Sequence, residues 1–468
     1  MSGPMPPALP AAAPVRLRAD WHYHFLGIGG IGMSALAEWL HARGLRVSGS
    51  DTQPGPVLER LNRLGIRTSL GHDARALDGA DAVVYTTAVR ETHPIWAEVQ
   101  RRALPRLHRA ELLGALAAGR RTLAVTGTHG KTTSTAALAH ALTAAGWAPT
   151  ALVGGHVPQW EGRNLRLGEG PWLVCEADES DGSFVHLAPE AVLLTNVEED
   201  HLDFHGTLAN LHAAFGAFLR RIQAGGRLVY CAEDPAAAAI AAAHEGDRLS
   251  YGFGAGVGAR VDVLGLGPEG TRLRLSCQGE THTLTTPLVG RHNALNLCGV
   301  FALARAVGAP AEGVLAGLAD FRGVARRQQF LGRAGGLAIY DDYAHHPTEI
   351  RATLESFRAT HDEPLTVVFQ PHLYSRTARF APEFAEALRP ASRVYVTEVY
   401  GAREAPLEGV SGRLIVRHLA DHPAAHFVAD WRDLAARARG GELPPGVLLT
   451  LGAGDITELG PLLLRELA

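Results

Sequence analysis

The stretch LAVTGTHGKTTSTAALAHAL, Leu123–Leu142, decides the fold. An apolar run ends in a glycine-flanked turn and a helix-length, alanine-rich run follows, which is the strand–loop–helix order of a phosphate-binding loop. The usual pattern is G-x-x-x-x-G-K-[ST], but counting back from Gly130 puts Val125, still inside the strand, where the first glycine should stand. The loop is therefore a shortened one, GTHGKTTS, Gly127–Ser134. Lys131 within it is the only lysine in a chain with 44 lysines and arginines. A general bias toward arginine explains the other basic positions and leaves this exception unexplained. A compact ammonium on a flexible stem can follow a phosphoryl group as charge moves onto it, where a planar guanidinium cannot take the same place. Lys131 therefore reads as a functional residue.

Around that loop, 468 residues suggest about three domains, each able to bury its own core. Hydrophobic residues are 46%, charged residues 20% and the net charge is −4, the balance of a globular chain with no basic field for nucleic acid or an anionic membrane. No apolar run is long enough to cross a bilayer. Cys175, Cys231, Cys277 and Cys298 are far apart, with no C-x-x-C pair, and read as buried thiols of a cytoplasmic protein. MSGPMPPALPAAAPVRLRAD, residues 1–20, has no continuous apolar core and reads as a flexible tail, not a signal peptide. These totals argue against a nucleic-acid or membrane partner.

Upstream of the loop, YHFLGIG, the helical run MSALAEWLHARG and RVSGSD open a βαβ unit, and alternation continues to ELLGALAAG. This predicts a domain over 21–118. A second unit over 119–325 carries the lysine loop, the strands WLVCEAD and AVLLTNV, and short alternating strands between Arg260 and Pro287. A third, over 326–468, begins near GLAIYDDYAHHP and repeats strand and helix through PLTVVFQPH, SRVYVTEVY and GVLLTLGAGD. The predicted class is α/β with three mostly parallel sheets, Rossmann-like at both ends and P-loop ATPase-like in the middle, with ligands at the carboxyl ends of strands.

GIGGIGMSALAEW fits G-x-G-x-x-G through Gly27, Gly29 and Gly32, with Gly30 in the same turn and Asp51 about twenty residues later. Such a turn holds a pyrophosphate at a helix N-terminus and leaves open whether a nicotinamide dinucleotide or a UDP-linked substrate is attached. In the central unit the amides of Thr128 to Thr132 are placed to wrap terminal phosphates, with the Thr132 hydroxyl at a Mg2+ position. EADESDGSF sets Glu176 at a strand end, where a carboxylate can reach the same metal, and TNVEEDHLDFHG sets His201 after the next strand. Any one of these acids can equally be a solvated loop residue, and imidazole is a less usual magnesium ligand than a carboxylate.

Taken in order, GTHGKTTS, EADESDGSF, NVEEDHLDFHG, GRHNALN, DDYAHHPTEI and QPHLYSRT resemble the Mur ligase family, from about Tyr23 to Asp455. The shortened loop is that family's form. HFLGIGGIGMSALA and DDYAHHPTE are most similar to its alanine-adding branch. The resemblance implies an ATP-dependent ligase that joins L-alanine to the lactyl carboxylate of UDP-N-acetylmuramate through an acyl phosphate, in peptidoglycan precursor synthesis. It implies that Gly27, Gly29, Gly30, Gly32, Asp51, Thr86 and Thr87 take the UDP-sugar. Gly127, Thr128, His129, Gly130, Lys131, Thr132, Thr133, His292, Asn293, Asn296 and Asp342 would take ATP. Thr132, Glu176 and His201 would hold Mg2+. Tyr343, His345, His346, His372 and Arg376 would shape the amino-acid site, and Lys131, His201 and Arg327 would act on the reacting groups. Two features depart from the family: with no lysine beyond Lys131 a carbamylated lysine is impossible, and EVYGAREAPLEGVSG differs at Gly401 to Arg403. A ligase that attaches a recycled tripeptide to the same sugar nucleotide shares the ATP residues and is the nearest alternative. A nicotinamide-dependent dehydrogenase and a non-catalytic ATP-gated binding protein are more distant ones.

Overall fold

The computed structural model describes residues 15–467 except Pro268 and Arg403, and leaves the side chain of Asp203 undescribed. Residues 1–14 of the expected tail, and Arg403 of the departing motif, lie outside the described residues. The chain forms two compact units. One holds the chain up to Arg260 with Ser276–Glu280 and Asn296–Leu318; the other holds Val261–Leu275, Thr281–Leu295 and the chain from Ala319 onward.

The first unit contains two sheets. Its N-terminal sheet is built from β1 (His22–Leu26), β2 (Arg46–Asp51), β3 (Arg67–Leu70), β4 (Ala82–Tyr85) and β5 (Arg106–His108), in the order β3-β2-β1-β4-β5. Every recorded pairing in it is parallel. The order reverses at β1, and the glycine turn follows β1, so the turn opens at the switch point where such sheets bind ligands. The second sheet places β6 (Arg121–Thr126) between β9 (Trp172–Glu176) and β10 (Ala191–Leu194), both parallel to it. The lysine loop after β6 therefore emerges between the two strand ends that carry EADESD and TNVEED. Beyond these lie β7 (Thr150–Val157) and β8 (Arg163–Arg166) on one side, and β11 (Arg227–Cys231) and β12 (Asp247–Gly252) on the other. β13 (Ala259–Gly267) joins β12 in parallel through Tyr251 and Ala259; from Val261 it belongs to the second unit, as do most of β14 (Gly270–Cys277) and β15 (Glu280–Thr286).

Close helix packing anchors the lysine loop. The helix Lys131–Ala144 is rich in alanine, and Gly313 and Gly317 of the helix Ala311–Asp320 lie against it. A Cβ on Gly317 would meet Ala141 Cα at 2.5 Å and one on Gly313 would meet Ala145 Cα at 2.6 Å, so the two backbones touch as only glycine permits.

The second unit carries β16 (Gln329–Ala334), β17 (Leu337–Asp342), β18 (Leu365–Phe369), β19 (Arg393–Val396), β20 (Ala425–Phe427) and β21 (Gly446–Leu451), in the order β16-β17-β21-β18-β19-β20. Its core includes Ile339, Val367, Phe369, Leu449 and Leu451, all at 0% exposure, which is why these strands read as continuous apolar runs. The sheets are mostly parallel; among the recorded pairings, β7 is antiparallel to β8 and β16 to β17. Both partners are joined by connections too short for a crossover. All four cysteines are free and buried. Among the described residues no helix is long and apolar enough to cross a membrane.

Candidate active site

The lysine loop is shaped by two glycines and by the end of β10. Gly127 has φ 131, and a Cβ there would sit 2.1 Å from Thr195 Oγ1; Gly130 has φ 84, and a Cβ there would lie 2.8 Å from Asn296 Oδ1. Thr128 N–H donates to the Asn196 carbonyl at 2.9 Å, His129 N–H to Asn196 Oδ1 at 2.8 Å, and Thr195 Oγ1 to the His129 carbonyl at 2.6 Å. The sequence pattern set the amide cradle over Thr128–Thr132, but here the first two of those amides are taken by Asn196. The helix's first i→i−4 bond runs from Ser134 N to Gly130 O, so the amides of Lys131, Thr132 and Thr133 precede it and point out of the N-terminus.

Lys131 Nζ donates to the carbonyls of Gly127 at 2.6 Å and Thr128 at 3.1 Å, and to both carboxylate oxygens of Glu179 at 2.9 Å. Burial alone pulls the ammonium below its ordinary value, but Glu179, then Asp178 and Glu176, outweigh it and hold it above. Burial pushes Glu179 the other way, toward protonation, against the pull of Lys131. Two 2.9 Å bonds from one ammonium to one carboxylate tie the buried pair together. Next to it, Thr132 Oγ1 donates to Glu176 Oε2 at 3.2 Å, and Gly154 N–H donates to Glu176 Oε1. Lost hydration holds the Glu176 carboxyl above the usual range despite that amide and Lys131, so this carboxylate is short of positive charge. A hydroxyl and an under-compensated carboxylate are the hard oxygen donors that suit Mg2+. A Cβ on Gly154 would come within 2.8 Å of both Glu176 oxygens, so that space is kept clear by a glycine. His201 sits on the segment after β10 in the left-handed region, φ 53, at the start of the short helix Leu202–His205.

In the N-terminal sheet, Gly27 has φ 79 and lies against Thr86, and Gly30 precedes the helix Ile31–Ala42. Gly29 N–H donates to Asp51 Oδ2 at 2.8 Å, which brings the fingerprint's acid onto its own turn. Thr87 is exposed beside Thr86, in the turn closed by Val89 N and Thr86 O at 3.1 Å.

In the second unit, Asp342 ends β17, accepting from Gln328 N and Ala344 N, both at 2.7 Å. Burial pushes its carboxyl up to about 6, against Arg327. Arg326 and Gln328 both have positive φ, at 60 and 49, so Arg327 is held between two left-handed residues. Its guanidinium lies 5.1 Å over the Tyr343 ring and 3.5 Å from Glu349. His292 stands 3.4 Å from the Gln328 amide and is pulled down to about 4 by burial, then by Arg327. Asn293 Nδ2 donates to the Val289 carbonyl. Tyr343, His345, His372 and Tyr400 form a chain of rings with centroids 5.1, 5.6 and 5.9 Å apart, and Arg376 Nη1 reaches His372 Nδ1 at 3.4 Å. His346 caps the helix Pro347–Thr360 and packs on Phe380.

The structure thus brings together Lys131, Thr132 and Glu176; Gly29 with Asp51; and Tyr343, His345, His372 and Arg376. Asn296 lies at the lysine loop, whereas the positions recorded for His292 and Asn293, earlier on the helix Arg291–Ala306, are beside Gln328 and Val289. Sequence reasoning missed Glu179, Asn196 and Asn164. The first two lie inside motifs already singled out. Asn164, fully buried on β8, donates to the Ile31 carbonyl of the glycine turn at 2.6 Å.

Three family domains match the chain in order: the Mur ligase family catalytic domain over residues 22–121, the Mur ligase middle domain over 125–304 and the Mur ligase glutamate ligase domain over 326–454. A UDP-N-acetylmuramate--L-alanine ligase of Mycobacterium sp. (strain JLS) is 44% identical over 460 residues, 95% of this chain and 94% of that one. One from Kineococcus radiotolerans is 45% identical over 462 residues, 95% and 96% of the two chains. The crystal structure of the UDP-N-acetylmuramate-alanine ligase from Thermotoga maritima superposes with a TM-score of 0.82 at 30% identity, over 95% of this chain and 99% of that one. With three matched domains, two full-length relatives and a shared fold, the chain belongs to the Mur ligase family.

Proposed function

We propose that this protein is an ATP-dependent ligase that adds L-alanine to the lactyl carboxylate of UDP-N-acetylmuramate, a step of peptidoglycan precursor synthesis in the cytoplasm. The observation that carries the reading is full-length identity of 44% to UDP-N-acetylmuramate--L-alanine ligases in a chain whose one lysine heads the phosphate-loop helix. Residues 21–118 take the sugar nucleotide, with the diphosphate at Gly27, Gly29, Gly30 and Gly32 and the nucleoside near Asp51, Thr86 and Thr87. Residues 119–325 take ATP, with Asn296 at the loop and His292 and Asn293 toward the adenine. Residues 326–468 supply Arg327 and Asp342 to ATP and hold L-alanine through Tyr343, His345, His346, His372 and Arg376.

In the first step a carboxylate oxygen of the acceptor forms a bond to the γ-phosphorus as the bond to the β–γ bridging oxygen breaks, and ADP leaves with that electron pair. The open amides of Lys131, Thr132 and Thr133 and the Lys131 ammonium receive the charge that spreads over the transferred group. Thr132, Glu176 and His201 would hold Mg2+, which when bound supplies further neutralisation of phosphate charge. The L-alanine nitrogen then attacks the activated carbonyl carbon, phosphate leaves with its oxygen, and the amine proton passes to a base; the candidates are a histidine of residues 326–468 or, where Mg2+ is held without it, His201. The protein acts as a monomer or weak homodimer.

Phosphate release from ATP and Mg2+ tests the reading, in parallel mixtures with UDP-N-acetylmuramate plus L-alanine, plus a stem tripeptide, or alone. Release that needs both the sugar nucleotide and L-alanine is the expected result. Dependence on the tripeptide would move the protein to the recycling branch, and NADH binding with no release in any mixture would restore the dehydrogenase reading.

A further inference from the structure

Arg109 was not among the residues that the sequence motifs singled out. It opens the helix Arg109–Ala117, whose start is fixed by a capping box between His108 and Glu111. Its Nη2 donates to Asp181 at 3.0 Å and lies 3.5 Å from Asp178, so one edge of the guanidinium is tied to the acidic loop after β9. That loop is itself braced: Asp178 accepts from the Ser180 hydroxyl at 2.9 Å, and Asp181 from Ser183 N at 3.0 Å. The other edge faces the sugar-nucleotide turn. A Cβ on Gly32 would lie 3.8 Å from Arg109 Nη1. Nη1 and Nε have no acceptor among the described residues, and the side chain keeps 26% of its surface exposed.

The position matters as much as the free donors. On one side stands Gly32, in the first turn of the helix fed by Gly27–Gly30. On the other is Asp178, whose chain neighbour Glu179 grips Lys131 at 2.9 Å. The guanidinium therefore lies between the turn for the acceptor's diphosphate and the lysine for the donor's phosphates. If the ligase reading holds, the acceptor's carboxylate must come within reach of the γ-phosphate. The diphosphate already has the helix N-terminus, while nothing described so far receives that carboxylate. A guanidinium pinned on one edge and open on the other is pre-organised for a carboxylate, because its plane and donor spacing are set before the ligand arrives.

We propose that Arg109 binds the lactyl carboxylate of the sugar nucleotide through its open Nη1 and Nε edge, holding the carboxylate for attack and making the enzyme selective for a sugar that carries it. This rests on the ligase reading. The test measures calorimetric affinity of the full chain for UDP-N-acetylmuramate, for UDP-N-acetylglucosamine, which lacks the lactyl group, and for ADP.

Wild-type protein is expected to prefer the muramate, and Arg109→Met to lose about 10- to 100-fold for it, the range of hydrogen bonds to a charged group. Affinity for UDP-N-acetylglucosamine and ADP should stay within about 2-fold, the change left when those bonds are not involved. Arg109→Lys keeps a charge against both aspartates and serves if the methionine variant fails to fold; it should fall between the two. An equal loss for both sugar nucleotides would assign Arg109 to the diphosphate and overturn the proposal. So would a variant that keeps the wild-type preference, and that outcome would leave the ligase reading standing. A wild-type protein that binds neither sugar nucleotide would overturn the ligase reading and this proposal with it.

Discussion

At the scale of single residues, the N-terminal sheet carries a polar relay that no function yet uses. His24, 1% exposed, hydrogen-bonds Ser48 Oγ at 2.9 Å and Ser50 Oγ at 3.1 Å, and those hydroxyls reach His22 at 2.8 Å and His72 at 2.7 Å. Burial pulls His24 down to about 3, with smaller pushes in the same direction from His22, His72 and Arg67. The folded state therefore binds fewer protons than the unfolded chain between about pH 3 and the ordinary histidine range near 6.5. Stability from this residue is complete above about 6.5 and is lost as pH falls through that window. From pH 7.5 to 5 the loss is roughly 2 kcal/mol. His24→Gln removes the titration, so its urea midpoint should fall less steeply on acidification than that of the wild type, whatever its absolute stability. Parallel acid limbs would show that His24 is protonated in the fold and sink the assignment.

At the scale of elements, two glycines in helices make opposite demands. Gly317 presses against Ala141, where a Cβ would come within 2.5 Å of backbone, whereas Gly216 in the helix Leu208–Leu219 would meet only the flexible Arg220 guanidinium at 3.7 Å. Helix propensity favours alanine over glycine by about 1 kcal/mol at both sites. Overpacking against backbone costs about 1–3 kcal/mol and applies only at Gly317. Gly216→Ala should raise the denaturation midpoint and Gly317→Ala lower it; a rise in both would show that the two helices separate easily. The same contrast explains what is legible in the chain. Buried parallel strands such as AVLL and LTVVF announce themselves as apolar runs, and Gly27 and Gly130 announce turns. The edge strands β8 and β16, RNLR and QFLGRA, carry charge and glycine because one side of each meets no neighbour, and so they do not read as strands.

At the scale of the whole molecule, function is legible where it is local and hidden where it is assembled. Lys131 and its glycines lie within one short stretch, so their pattern survives in sequence. Glu179 reaches Lys131 across 48 residues, Arg109 reaches Asp181 across 72 and Asn164 reaches Ile31 across 133, and no local spacing encodes such meetings. The division of labour among the sheets can be tested through the one lysine. In Lys131→Arg a planar fork replaces an ammonium that now bonds two loop carbonyls and both oxygens of Glu179. The charge survives while the point-like geometry does not. Losing a donor aimed at the transferred group should lower kcat by about 10²- to 10³-fold. The glycine turn belongs to a different sheet, so the dissociation constant for UDP-N-acetylmuramate should stay within about 2-fold of wild type, an energy difference below 0.5 kcal/mol. Weakened sugar-nucleotide binding would mean that Lys131 itself helps to hold the acceptor, and full turnover would mean that any cation suffices at this position.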